Sequence, residues 1–314
     1  MPTKKIIDLE TPAKNGSALD REVNEILKKH DLNFKISKLP LRAMLGSVSL
    51  PTDLFALYNT KIKTVISTCK EGYHISQNED ILKLVLKGAE GFGDLSIQNA
   101  WSINEGRRTL IQLRVAGMSR VGTEEIARYI TIVDSNDGSS SLGVGIGEVV
   151  LSCQNQFYKF YKSTQSKMRH TASLEARVKE LPSLIKTALE ESMRLTETYK
   201  TFKSTKASKE LIHGLVHEVY GISEASSIDV LSRTTSKKTN NMNELYTHIA
   251  KEMAQKGNNV FGVWNGLTSF NTHKKQTFKR DDGKINALTF GENYKMNQKG
   301  LDYLMKHCDL VPIH

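Results

Sequence analysis

Cysteine is scarce: three in 314 residues, at 69, 153 and 308, with no CxxC pair. That excludes a disulfide scaffold and reads as reduced thiols in a cytoplasm. No apolar run approaches the roughly 18 residues a membrane span needs, and the best stretch, Leu142 to Leu151, is broken by three glycines and Glu148. The N-terminus has no apolar signal core followed by a small-residue cleavage site. There is no GxxxxGK[ST] loop and no GxGxxG entering a helix, so nucleotide-driven chemistry has no support. Aromatics are few, at 7%. Composition names no cofactor.

Against these absences stand 39% hydrophobic and 25% charged residues, ordinary for a globular chain of one large or two modest domains. Lys and Arg number 44 against 34 Asp and Glu, a net charge of +10. The excess is lopsided. Residues 1–150 carry 19 basic and 18 acidic side chains, whereas 151–314 carry 25 and 16. A polyanion would meet mainly the second half.

Periodicity divides the chain into 1–50, an arm with a short helix at Asp20–Asp31; 51–165, sheet-rich; and 166–314, helical and sharing one core with the sheet. Lys61–Ser67 alternates as a half-buried strand does. Asn78 caps a helix to about Ala89. Leu95–Ile103 and Arg108–Val115 form a hairpin about Asn104-Glu105-Gly106-Arg107. Tyr129–Val133 and Leu142–Leu151 are further strands. From Thr171 the pattern turns helical: Leu174, Val178, Leu181, Ile185, Ala188, Ser192, Leu195, Tyr199 and Phe202 keep a 3.5-residue period. That stripe packs on its own domain or forms a self-association seam, and Pro182 should kink or break it. Helices follow at Lys209–Tyr220, Asn243–Ala254, Val260–Phe270 and Asn293–Cys308, with 226–243 a polar, mobile loop. The fold class is α+β: a largely antiparallel sheet, then a mostly helical, basic half.

Four constellations invite chemistry, and each has a bland counterpart. Gly143-Val144-Gly145-Ile146-Gly147 lies inside an apolar strand and signals close backbone approach or a bulge rather than a phosphate loop. His213 and His217 share a helix face at metal-ligand spacing, but lack the glutamate of a metalloprotease motif. Cys153 with His170 suggests a nucleophile pair, against a buried inert thiol. Asp134, Asp137 and Glu148 suggest a metal-dependent nuclease or hydrolase, against turn-forming roles.

The broadest signal is cations interleaved with rings. Trp101, Arg107, Arg108, Arg114 and Arg128 come from the hairpin region. Tyr158, Lys159, Tyr161, Lys162, Lys167, Arg169 and His170 follow Cys153, and Lys274, Lys275, Lys279 and Arg280 lie in the C-terminal basic loop. Single-stranded nucleic acid is held by such sets, cations tracking phosphates and rings stacking bases. Trp101, Tyr158 and Tyr161 are the stacking candidates.

Asp137-Gly138-Ser139, Cys153-Gln154-Asn155, Arg169-His170-Thr171, Trp264-Asn265-Gly266-Leu267-Thr268, His273 and Phe290-Gly291 occur in that order. In this ordered set the chain resembles a family of uncharacterised phage- and plasmid-borne proteins over roughly residues 50–308. Phe261, Gly262 and the 226–243 loop depart from the pattern. The resemblance implies a mobile-element protein in a bacterial cytoplasm and supplies no activity. The expectation is a non-enzymatic, homo-oligomeric binder of single-stranded DNA, serving strand annealing or recombination. An assembly or host-interaction protein and a metal-dependent hydrolase are the alternatives; no membrane or cofactor is called for.

Overall fold

The computed structural model describes residues 17–90, 92, 95–137, 142–160, 167–168, 174–222, 236–274 and 282–311. Helix α1 (Ala18–Lys29) starts at Ser17, whose hydroxyl accepts from the Asp20 N–H while the Asp20 carboxylate accepts from Ser17 N. It buries Val23 and Leu27. Strands β1 (Ile36–Leu45), β2 (Val48–Asn59) and β3 (Thr64–Lys70) form a three-stranded antiparallel sheet in that order.

The β1–β2 hairpin lies where the sequence reads as an arm. Its two-residue turn is Gly46-Ser47, with Gly46 at φ +59°. Pro40 and Pro51 conceal it, because proline argues against a strand. Both are tolerated here: β1 is an edge strand, and β3 pairs with β2 only from Leu54 onward. Strand β3 also starts three residues later than the alternation suggests, since 61–63 is a turn with Lys63 at φ +55°.

Helix α2 (Asn78–Ala89) is capped at Gln77, not Asn78: the Asp80 carboxylate accepts from the Gln77 N–H. Asn78 is buried instead, donating to the Leu32 carbonyl and accepting from the Thr109 hydroxyl at 2.6 Å. A seven-stranded antiparallel sheet follows, from β4 (Leu95–Ile103), β5 (Arg108–Val115), β6 (Ser119–Val121), β7 (Glu124–Ser135), β8 (Leu142–Val150), β9 (Asn155–Phe160) and β10 (Lys167–Met168). The order is β10-β8-β7-β5-β4, with β6 beside β7 and β9 beside β8. The β4–β5 hairpin has the bounds its sequence predicts, and its turn places Asn104, Glu105 and Gly106 at positive φ.

Helices α3 (Leu174–Ser204), α4 (Lys209–Tyr220), α5 (Ser236–Lys256), α6 (Val260–His273), α7 (Gly283–Thr289) and α8 (Glu292–His307) complete the chain. Helix α3 runs on through Pro182 without a break. Its stripe from Leu181 to Phe202 is buried in the protein's own core, which is the intramolecular reading for that part of the heptad; the side chains of Leu174 and Val178 lie outside the described residues. Helix α5 begins at Ser236, inside the segment whose polarity reads as a loop, and 226–235 lies outside the described residues.

The protein is α+β, with antiparallel sheets first and helices after. One hydrophobic cluster runs from Val23 through the inner face of the large sheet (Ile111, Ile130, Ile146) to Leu301 in α8. Among the described residues no helix is long and apolar enough to cross a membrane.

Candidate nucleic-acid interface

Strand alternation assigns each arginine of the large sheet to a face. On β5, Arg108, Leu110, Gln112 and Arg114 share the outer face, while Thr109, Ile111 and Leu113 point to the core. Register continues the outer face with Trp101 opposite Leu110, Asn99 opposite Gln112 and Tyr129 opposite Arg114. Gly145 and Gly147 carry it across β8 to Phe160 and Tyr158 on β9.

Both outer arginines are half-buried and lie over rings. The Arg108 guanidinium sits 4.6 Å from the Phe290 ring centroid, and that of Arg114 5.2 Å from Tyr129. Between them runs a hydrogen-bonded row. Asn99 Nδ2 donates to Gln112 Oε1, Gln112 Nε2 to the Tyr158 hydroxyl, and that hydroxyl to Gln156 Oε1, each at 3.3 Å. A separate apolar group of Ile103, Leu110 and Val133 packs with Trp101, Phe160, Ile285 and Phe290 at one end of the face. Trp101 lines a cavity of about 460 Å³ with His30, Asp31, Gln156, Asp282 and Lys284.

The glycine run behaves as a close approach. A Cβ on Gly145 would lie 2.8 Å from Phe160 Cδ1, and one on Gly147 would lie 3.1 Å from the Tyr158 ring. The two rings therefore lie across bare backbone. Tyr158 is consequently buried, and burial pushes its hydroxyl well above the usual tyrosine range. Its ring has no face open to a stacked base.

Other candidates lie elsewhere. Lys159 is buried on the inner face, beside the Gly145–Gly147 strand. Arg128 also belongs to the inner face, opposite Glu148. Arg107 sits at the hairpin turn, half-buried. Lys274 ends α6 with its ammonium over the Phe270 ring (4.6 Å), paired with Glu244 at 3.2 Å and bonded to Asn241. Tyr161, Lys162, Arg169, His170, Lys275, Lys279 and Arg280, and the side chain of Lys167, lie outside the described residues. Tyr129, Asn99, Gln112 and Phe290 were not foreseen. Strand alternation across Arg128 and Tyr129 is the signal that would have found Tyr129.

The chemical constellations resolve structurally. Asp134 and Glu148 are buried on the inner face. Burial lifts the Glu148 carboxyl to about 7, against the opposing effects of the Tyr199 hydroxyl bonded to it at 2.7 Å and of Arg128. The His213 and His217 rings are 4.0 Å apart, with His213 Nδ1 2.9 Å from the Tyr246 hydroxyl and His217 buried. Among the described residues no three His, Cys, Asp or Glu side chains gather as a metal site.

Cys153 is half-buried, and burial raises its thiol pKa. The histidine beside it in the described structure is His273, whose Nε2 lies 2.9 Å from the Cys153 carbonyl oxygen and 3.0 Å from Asn155 Oδ1. Two oxygen acceptors require Nε2 to carry the proton. Asn155 in turn donates to Glu252 Oε1 and to the Asn265 carbonyl. The Cys-Gln-Asn and Trp-Asn-Gly segments, over a hundred residues apart, thus meet where β9 packs on α6.

No curated protein and no solved structure matches the chain. A family model described as a domain of unknown function, DUF932, matches residues 65–290, from β3 to the end of the Arg108–Phe290 contact, and the chain belongs to that family.

Proposed function

We propose that this protein binds single-stranded nucleic acid through the outer face of its large sheet, as a non-enzymatic annealing or recombination accessory of a phage or other mobile element in a bacterial cytoplasm. One observation carries the proposal: Arg108 and Arg114 share a sheet face, each laid over an aromatic ring. Six residues of strand set them about 20 Å apart. Two fixed cations at that separation suit a backbone crossing the strands. Asn99 and Gln156, the half-buried ends of the amide row that the buried Gln112 and Tyr158 hold in place, offer donors and acceptors to bases between them. Trp101, half-exposed at the cavity mouth, is the ring best placed to stack. The net charge of +10 favours a polyanion in the same direction.

Fluorescence anisotropy with labelled single-stranded oligonucleotides, read at roughly 50 and 200 mM salt, tests it. Binding at low salt that weakens steeply at the higher concentration is the expected result. An absence of binding at low salt would overturn the proposal.

A further inference from the structure

The cavity of about 460 Å³ beside Trp101 opens at the edge strand of the large sheet, where β4, β9, α7 and the residues that end α1 meet. That volume suits a small planar ligand. Its lining is uneven. Trp101, Ile285 and Leu288 make an apolar wall, with Leu288 buried and the other two packed on Ile103, Leu110 and Val133. His30, Gln156 and Asp282, all half-buried, line the rest, while Asp31 and Lys284 stand exposed at the rim.

Each of the three half-buried polar groups has a fixed hydrogen-bonding character. Asp282 Oδ2 accepts from the N–H of Asn104, a hairpin-turn residue in left-handed backbone at φ +54°, and Oδ1 bonds nothing among the described residues. His30 Nδ1 accepts from the Ala100 N–H at 3.4 Å. Burial, with Lys29 adding to it, holds the imidazole below its ordinary pKa, so the ring is neutral near pH 7 and carries its proton on Nε2. Gln156 Oε1 accepts from the Tyr158 hydroxyl, which leaves its Nε2 amide as a donor. Beside an indole, the cavity therefore offers one carboxylate and two neutral donors.

Charge decides what enters. Asp282 within and Asp31 at the rim repel a phosphate from the interior, so the group that lies against Trp101 is uncharged. Among the nucleobases, guanine alone sets two N–H donors side by side, N1–H and the N2 amino group, and a carboxylate accepts such a pair in a fork. Adenine and cytosine place a ring acceptor beside their amino group, and thymine has a single N–H between two carbonyls. The O6 and N7 of guanine are acceptors, matched to the donors of His30 and Gln156.

We propose, resting on the reading of the outer face as a single-strand interface, that this cavity binds one guanine turned out of the strand. Trp101 stacks on the base, Asp282 accepts from N1–H and N2–H, and His30 and Gln156 donate to O6 and N7. The phosphate stays outside, near Lys284 at the rim and Arg108, whose guanidinium lies over Phe290 in the same packed group as Trp101. An unpaired strand has no partner base to give up, so turning a base out costs unstacking alone.

Tryptophan fluorescence of the full chain, titrated with deoxynucleoside monophosphates, tests the cavity without a strand. Trp264 is buried against Phe157 and Tyr199, so quenching reports Trp101, and Trp101→Phe should abolish it. The dissociation constant for dGMP should lie about tenfold or more below those for dAMP, dCMP and dTMP. Inosine monophosphate, which lacks the N2 amino group, should bind about fivefold more weakly than dGMP. Asp282→Asn keeps an acceptor for the Asn104 N–H and should erase the preference while circular dichroism stays unchanged. Equal constants for the four nucleotides, or an Asp282→Asn variant that still prefers dGMP, overturn the inference. So does the absence of quenching at about 10 mM dGMP, or equal quenching by deoxyribose 5-phosphate, which would make the cavity a sugar site. The two readings fail separately. Oligonucleotide binding without a dGMP preference overturns the guanine cavity and leaves the outer face standing. A dGMP preference without oligonucleotide binding supports the cavity and overturns the strand reading.

Discussion

Asn155, the first residue of β9, donates its amide to the carbonyl oxygen of Asn265, 110 residues away in α6, at 3.2 Å. The same amide reaches Glu252 Oε1 at 3.4 Å, and its oxygen accepts from His273 Nε2 at 3.0 Å. One buried side chain therefore ties the sheet to two helices. Asn155→Ala leaves the Asn265 carbonyl and the Glu252 carboxylate short of a donor, and an orphaned buried group costs about 1–3 kcal/mol. Urea unfolding should show a loss of roughly 2–3 kcal/mol with an unchanged m-value. A loss below about 0.5 kcal/mol would mean the clasp is not structural.

Glu148 makes stability depend on pH. Its carboxyl, moved by burial from 4.5 to about 7, binds its proton more tightly folded than unfolded. Between those two values the unfolded chain has released the proton and the native protein still holds it. Stability therefore falls as pH rises through that window and levels off above it. The arithmetic is about 3 kcal/mol at the plateau. Glu148→Gln keeps an acceptor for the Tyr199 hydroxyl and removes the titration. Melting curves from pH 5 to 8 should show wild type losing stability relative to the glutamine variant, with the two converging at the acid end. Parallel curves would place the Glu148 pKa near its ordinary value.

Much of the fold could be read from residue order because it is local. The β4–β5 hairpin declares itself through period-two alternation around turn residues, and α4 through an apolar stripe ended by Gly221 at φ +63°. What stayed hidden depends on contacts between distant segments. Pro40 and Pro51 mask a hairpin whose tolerance for them follows from being unpaired on one side. The polar start of α5 is helical because Met242, Leu245 and Ile249 bury further along it. The candidate interface divides in the same way. Arg108 and Arg114 differ by an even number, so a strand puts them on one face. Phe290, which carries the Arg108 guanidinium, lies 182 positions downstream of it, and no local pattern announces the contact. Tyr158 misled because an aromatic beside a lysine looks like a surface pair, whereas the missing side chains of Gly145 and Gly147 let its ring sink onto the sheet.

Those absent side chains give a direct test. An alanine Cβ at Gly145 would stand 2.3 Å from the Lys159 carbonyl oxygen, and one at Gly266 would stand 2.4 Å from Ile249 Cα. Neither neighbour is the flexible end of a side chain, so β9 must move off β8 in the first case and α6 off α5 in the second. Each substitution should cost roughly 1–3 kcal/mol. Gly72→Ala, where nothing lies within 4 Å, should stay within about 0.5 kcal/mol of wild type. Equal stabilities for all three variants would remove close packing as the reason for the first two glycines.

The outer-face arginines separate a phosphate-binding role from a purely structural one. Arg114 lies over Tyr129 with Nη1 buried and lacking a hydrogen-bond partner, so the stack orients the guanidinium without spending all its donors. On a single strand, a cation that neutralises one phosphate adds about 0.7 to the slope of log affinity against log salt. Arg114→Gln should therefore weaken single-strand binding and flatten that slope by about 0.7, uniformly across oligonucleotide sequences. Arg114→Lys keeps the charge but not the planar stack, so the slope should survive while affinity drops modestly. Arg120, exposed on β6 and paired with Glu125 at 2.7 Å, belongs to neither ring contact, and Arg120→Gln should change neither quantity. If the Arg114 and Arg120 variants lose affinity equally, binding follows overall charge and the outer face has no special part in it.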